Sequence, residues 1–386
     1  MKEMLDTIIR EGGSFDIARF DIGKSNDDYS KLDASYVAPD AASLERIARR
    51  LSDLGAEFDT ENGVCLVAAP ADGVAPADFY TTTNHDTQIN LDSAFVPVEK
   101  IRMDGVIVVR RDERRALCTK QRNIKKGDLI VVGLEGIKVS PEFIERDRSE
   151  FGFMTSDVSS ERVVGIVVDR VADMMRDKSK KVVAVAGPVV IHTGGAQAFC
   201  KLIDNGHIHG LLSGNALAVH DIESHLYRTS LGINVTSGEP VDGGASHHLR
   251  AINEVRRAGS IAGLVVEGRL TGGVMHAVLK AGIPFALAGS IRDDGPLPET
   301  ITDMNVAQEE YARILEGADI CLMLSSMLHS IAAGNMIPAR VLTVCVDINP
   351  PVVTKLRDRG SHQAIGIVTD VGLFLHLLAD RLCAAS

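Results

Sequence analysis

Residues 182–196 read Val182-Val183-Ala184-Val185-Ala186-Gly187-Pro188-Val189-Val190-Ile191-His192-Thr193-Gly194-Gly195-Ala196. Five apolar residues without alternation describe a strand buried on both faces. A glycine-bearing turn ends it, and Thr193-Gly194-Gly195 opens a helical pattern over 196–205. The same order recurs outward from this stretch. Short apolar runs lie at 208–212, 284–288, 319–324, 341–346 and 364–368, with helical patterns at 246–257, 307–316 and 351–359. Uniformly apolar strands alternating with helices make a parallel sheet covered on both sides, and right-handed crossovers wind it doubly. Residues 151–386 are therefore expected to form one α/β domain.

Toward the amino terminus the pattern changes. Phe15 and Ile17, then Phe20 and Ile22, suggest a strand with a slip in its alternation, and Ser35-Tyr36-Val37 a second strand. Leu44, Ile47, Ala48, Leu51 and Leu54 recur at helical spacing behind Asp40, a capping residue type. A further strand at 65–69 completes a small α+β domain over 1–100, read as one sheet with a helix on one side. Residues 101–150 carry strands at 106–109 and 129–132 between Asp-Gly and Gly-Asp turns and read as a β-rich segment bracing the two larger domains.

The 386 residues are 45% apolar and 24% charged, with a formal charge of −11. An acidic chain of this kind is not a generic polyanion binder, so no nucleic-acid partner is expected. No apolar run is long enough to span a membrane, and the first residues lack a signal-peptide pattern. The six cysteines, at 65, 118, 200, 321, 345 and 383, are too scattered for a disulfide scaffold or a Cys-x-x-Cys metal clip. A cytoplasmic protein with no metal site is the expectation, and Cys345, inside an apolar run, reads as core.

In a doubly wound sheet, ligands bind outside the carboxyl ends of the strands. The exits here are polar. After the strand at 182 comes Thr193-Gly194-Gly195, suited to a phosphate at a helix start or to a tight turn. The ordinary Gly-x-Gly-x-x-Gly fingerprint is absent. The next exit is Ser213-Gly214-Asn215, leading to a helix that carries His220, Asp221 and Glu223. His220-Asp221 is a conceivable proton-transfer pair, although neighbours on a helix point apart. A second Thr-Gly-Gly, at 271–273, precedes His276. Gly289-Ser290-Ile291-Arg292-Asp293-Asp294-Gly295-Pro296 puts a guanidinium and two acids in one stiffened loop. Ser325-Ser326-Met327-Leu328-His329 follows the fourth strand. Asp347-Ile348-Asn349 and Thr369-Asp370 close the last two, each with an acid that can grip a ribose diol or cap a helix.

These long strings, with Ala216-Leu217-Ala218-Val219-His220-Asp221-Ile222-Glu223, Thr83-Asn84-His85 and Met103-Asp104-Gly105-Val106, resemble the archaeal-type ornithine cyclodeaminase family. That family is also a carboxy-terminal module of cyanobacterial arginine-catabolic enzymes and is labelled a lysine-oxoglutarate reductase/saccharopine dehydrogenase conserved domain. The resemblance spans the chain. It implies a deoxyhypusine-synthase-like NAD-binding sheet, with NAD contacts at Asn215, Ala216, Asp294, Ser326, Met327, Leu328, His329, Asp347 and Asp370. It implies conversion of L-ornithine to L-proline and ammonia, with NAD regenerated. It carries over no catalytic residue.

From residue type and placement, Arg292 is the candidate carboxylate clamp, Asp293 the candidate proton carrier and His276 its reserve. His85 is a further group able to reach in from the first domain. Because such crevices commonly abut a neighbouring copy, a homo-oligomer is the expected assembly. Two other readings stay open: an NAD-dependent amino-acid dehydrogenase or polyamine transferase, and a non-catalytic sensor of NAD or an amino acid.

Overall fold

The computed structural model describes residues 2–21, 31–54, 56, 58, 63–140, 161–235, 237–241, 244–293, 295–359 and 364–383. The chain forms two compact units, Met1–Glu142 and Phe143–Ser386.

In the first unit, β1 (Ser14–Asp21) and β2 (Lys31–Val37) pair antiparallel, and their register shifts between Ile17 and Arg19. That shift is the slip seen in the alternation. Helices Lys2–Arg10 and Ala41–Asp53 bury Ile8, Ile47 and Leu51 against Phe15 and Tyr36. Asp40 caps the second helix by accepting from Ser43 N at 2.7 Å.

The strand at 65 does not extend this hairpin. β3 (Cys65–Ala68), β4 (Asp86–Leu91), β5 (Ala94–Glu99), β6 (Val106–Arg110), β7 (Arg115–Thr119), β8 (Leu129–Val132) and β9 (Ile137–Ser140) form one sheet in the order β3-β8-β6-β7-β5-β4-β9. The division expected at residue 100 therefore runs through a sheet, because β5 pairs with β7 and β4 with β9 across it. Alternation marks a strand but not its partner, so a separate β-rich insert was an over-division. The other expected boundary, at 150, lies outside the described residues.

In the second unit, β10 (Val182–Ala186), β11 (Gly210–Gly214), a two-stranded ribbon of β12 (Thr229–Ser230) and β13 (Ile233–Asn234), β14 (Phe285–Ala288), β15 (Thr300–Ile301), β16 (Ile320–Leu324), β17 (Leu342–Asp347) and β18 (Ala364–Val368) follow in turn. The main sheet runs β15-β14-β11-β10-β16-β17-β18, and every neighbouring pair is parallel. Val182, Ala184 and Ala186 enter one apolar layer and Val183 and Val185 the other, so both faces are dry and the strand needs no polar alternation. Cys345 packs in the second layer with its Sγ 3.6 Å from Met323 Sδ. The short edge strand β15 carries no apolar run and was not read from the sequence.

The chain leaves β10 in one direction through β11, β14 and β15, then returns to lay β16 on the other side of β10. That reversal makes the β10/β16 boundary the topological switch point, the place where sheets of this kind form their ligand crevice.

Candidate functional site

The floor of the crevice is backbone. Gly187 N donates to Leu324 O at 2.9 Å, and a Cβ on Gly187 would stand 2.1 Å from Ser325 O. Only glycine lets the two strand exits approach this closely. Ser325 itself adopts a left-handed φ of 46°, and Ser326 then begins the helix Met327–Gly334 without capping it through its hydroxyl.

Around this floor stand several of the expected contact residues. Asp347, the last residue of β17, is buried, and its Oδ1 accepts from Asn349 N at 2.8 Å and Asn349 Nδ2 at 3.1 Å. Its Oδ2 has no partner among the described residues, so one oxygen holds the turn and the other is free for a diol. Ile291, Met327, Leu328 and Ile348, each at a strand exit, are exposed apolar side chains. Such a rim suits a ligand with flat, apolar faces.

His329 lies over the tip of β11, where a Cβ on Gly214 would meet its Nε2 at 2.7 Å. Tyr311, buried, donates its hydroxyl proton to Ser213 O at 2.6 Å. Its oxygen is therefore left to accept from His329 Nδ1 at 3.0 Å. The ring carries hydrogen on Nδ1 and a lone pair on Nε2, the nitrogen beside Gly214. Burial lowers its pKa against an opposing pull from Asp293, which keeps the ring neutral at pH 7.

Other expected residues have local employment. Asn215 Oδ1 accepts from Leu297 N at 3.0 Å and Thr300 Oγ1 at 2.8 Å, pinning the loop before β15 rather than capping its helix. Ala216, the next residue, is half-buried on the first turn of that helix. Asp370 Oδ1 accepts from Leu373 N at 2.9 Å and so caps the helix Val371–Cys383. Asp293 accepts from Ser290 N at 2.8 Å and Ser290 Oγ at 3.2 Å, closing its own loop within electrostatic reach of His329. Arg292 is exposed. His276 sits beside His225, whose Nε2 accepts from Thr271 N at 3.2 Å. His85 is buried. Asp294 lies outside the described residues.

Both Thr-Gly-Gly turns have uses inside the fold. At 193–195 the glycines allow close helix packing: a Cβ on Gly195 would stand 3.1 Å from Gly372 Cα. At 271–273 the helix Val274–Ala281 already has an anion at its amino end. Asp221, fully buried on the helix Asn215–Tyr227, accepts from Val274 N and Met275 N, both at 2.8 Å. This dissolves the His220-Asp221 pair, because consecutive residues diverge by about 100° around the axis. Burial pushes the Asp221 carboxyl up to about 6, against the pull of those two N–H groups. The folded state thus holds this proton more tightly than the unfolded chain. Its contribution is greatest below the unfolded carboxylate pKa and falls by about 3 kcal/mol as pH rises through 6. Asp221→Asn should remove that slope, leaving the denaturation midpoints at pH 4.5 and pH 7 closer together than in the unaltered protein. An unchanged difference between the two midpoints would show that another group titrates.

His220 instead meets Glu223, one turn along on the same face, at 2.8 Å from Nδ1 to Oε2. Glu223 is fully buried. Burial opposes its charge, but hydrogen bonds from His220, Thr229 and Gly232 N prevail and hold its carboxyl below the usual range. The ribbon of β12 and β13 turns through Leu231 and Gly232, at φ of 55° and 78°, and this turn aims both backbone N–H groups at the carboxylate. Thr229 Oγ1 donates to Glu223 Oε1 at 3.0 Å and faces His247 Nδ1 at 2.9 Å, while Ser230 Oγ holds His192 Nδ1. The His192 and His220 rings meet edge to face at 4.9 Å. Burial, then the neighbouring His220, push His192 down to about 4. The acid at 223 was visible in the sequence, but its partners, which extend to 247, were not.

A doubly wound parallel sheet with a polar, apolar-rimmed crevice at its switch point defines a dinucleotide-binding class of protein. The comparisons carry the assignment further. Residues 166–378 match the model "Arginine dihydrolase ArgZ-like, C-terminal, Rossmann fold", residues 86–168 its first region, and residues 1–85 the LOR/SDH bifunctional enzyme conserved region. The chain is 49% identical to an ornithine cyclodeaminase of Methanocaldococcus jannaschii, covering 99% of this chain and 92% of that one. It aligns with the apo structure of ArgZ, a cyanobacterial arginine dihydrolase, at TM-score 0.86 and 42% identity, over 99% of this chain and 56% of that one. It aligns with a ternary complex of AgrE with ornithine and NAD+ at TM-score 0.57 and 46% identity, over 99% and 55%. The chain belongs to the ornithine cyclodeaminase family that carries the LOR/SDH region and the ArgZ-like carboxy-terminal fold.

Proposed function

We propose that this protein is an NAD-dependent ornithine cyclodeaminase, converting L-ornithine to L-proline and ammonia. The observation that carries the reading is near-full-length likeness to cyclodeaminases in a chain whose switch-point crevice has the donors and acceptors for a dinucleotide. Asp347 Oδ2 would take the adenosine diol. His329 Nε2 would accept from a hydroxyl, and Ser326, Met327 and Leu328 would line the passage. NAD, when bound, supplies removal of hydride from the α-carbon and its return. The chain's own residues hold the substrate, move protons and keep out water, which would otherwise hydrolyse an imine to a keto acid. Arg292, exposed at the exit of β14, is the proposed grip on the α-carboxylate. Asp293 stays within the proposed site, near His329. His276, beside His225, is the proposed reserve proton carrier.

The deciding assay supplies ornithine and catalytic NAD and measures proline and ammonia while following the NADH absorbance band. Equal amounts of proline and ammonia without net NADH are the expected result. Net NADH would make the protein an amino-acid dehydrogenase, consumption of a second amine a transferase, and binding without product a sensor.

A further inference from the structure

We propose that His220 is the residue that carries the proton of this reaction, with Glu223 as the group that positions it. The assignment rests on the cyclodeaminase reading above. It differs from the residues proposed from sequence, because it stands on a constellation that only the fold assembles.

The directions of the hydrogen bonds at Glu223 and Thr229 follow from the carboxylate. An ionised carboxylate only accepts, so His220 donates Nδ1–H to Glu223 Oε2 at 2.8 Å, and Thr229 donates its hydroxyl proton to Oε1 at 3.0 Å. With that proton committed, Thr229 can only accept from His247 Nδ1 at 2.9 Å. His220 therefore keeps an unprotonated Nε2, which has no hydrogen-bond partner among the described residues, on a side chain that is 12% exposed. A base oriented through its far nitrogen by a buried carboxylate is the arrangement general acid–base catalysis requires.

The placement fits the dinucleotide crevice. The helix bearing His220 begins at the tip of β11, and five residues of rise put the His220 Cα about 7.5 Å along its axis. The short helix Val189–His192 leaves the tip of β10 and brings His192 against it. With the adenosine sugar at Asp347 on β17, the other end of an extended dinucleotide runs back across β16 and β10 toward this corner. The titratable groups around the ring are Glu223, His192 and His248, whose ring lies 6.4 Å away. His192 stays neutral, so a proton on His220 meets one carboxylate and no fixed cation from that side.

In the reaction, Nε2 takes a proton from the substrate's α-ammonium group. That N–H bond breaks, an Nε2–H bond forms, and the nitrogen lone pair needed for the imine is released. The imidazolium rests against Glu223. When the same nitrogen departs as ammonia, the Nε2–H bond breaks and its proton goes with it, leaving the ring as it began.

The test uses the full-length protein and the variants His220→Asn, Glu223→Gln and Glu223→Asp, with four readouts. Histidine 15N spectra of the unliganded protein should show the Nδ1–H form of His220, lost in Glu223→Gln. His220→Asn should lower kcat by at least about 100-fold, while NAD affinity and the melting temperature change little. Glu223→Gln should lower kcat without raising KM in proportion and remove the acidic limb of the pH profile, and Glu223→Asp should restore part of both. Three results would overturn the proposal: an Nε2–H form of His220, retention of more than a tenth of activity by His220→Asn with NAD bound, or equal damage by Gln and Asp at 223, which would mark Glu223 as a clamp for the ribbon alone. If the unaltered protein binds NAD but makes no proline, the cyclodeaminase reading fails and the spectra still decide the His220–Glu223 geometry.

Discussion

Asp347→Ala will weaken binding of NAD by on the order of 100-fold, because hydrogen bonds to a charged acceptor are each worth about 1.5–3 kcal/mol. The carboxylate ends a buried strand, and its Oδ1 is already committed to Asn349, so the geometry of the free Oδ2 is set before any ligand arrives. Alanine loses both oxygens, and the local turn loosens by no more than about 1 kcal/mol. Titration calorimetry reads the first effect and thermal melting the second. A dissociation constant within threefold of the unaltered protein would mean that the dinucleotide is not held at β17, and would remove the support that Asp347 lends to NAD binding.

Gly187→Ala acts on the frame of the same crevice and should cost about 3 kcal/mol. The added methyl would lie 2.1 Å from Ser325 O, a backbone atom between two buried strands with no rotamer to escape into. For the α/β unit this corresponds to a fall of roughly 6–12 °C in melting temperature. NAD affinity should fall with it, since Ser326 and the start of the helix Met327–Gly334 must move. Gly194→Ala is a useful comparison. That glycine, unlike Gly187, has a positive φ, of 76°, but a Cβ there meets nothing within 4 Å, so its cost is backbone strain alone, about 1–2 kcal/mol. Equal melting temperatures for the two variants would contradict the close approach of β10 and β16.

Much of this was open to a reader of the chain. In the parallel sheet the strands at 182–186 and 364–368 were placed to the residue and the others, β15 excepted, to within about two, because strands covered on both faces are written as unbroken apolar runs. Asp347 stood out as an acid at a strand end. The two Thr-Gly-Gly turns were legible as turns but not in purpose. One serves helix packing against Gly372, and the other is occupied by Asp221 from 53 residues earlier. The supposed boundary at residue 100 failed for a related reason, since β5 pairs in parallel with β7 and skips β6.

The order of apolar runs, the polar strand ends and the family strings were decided by the sequence alone, because periodicity and local chemistry are properties of neighbouring residues. Which groups meet was decided by the tertiary structure. Tyr311 reaches His329 through the tip of β11, Gly187 touches Ser325 across the switch point, and Glu223 gathers His220, Thr229 and the turn at 231–232. Each such contact depends on strand order and helix rotation. These are set by burying both faces of one sheet at once, a condition on the whole chain that no local stretch records.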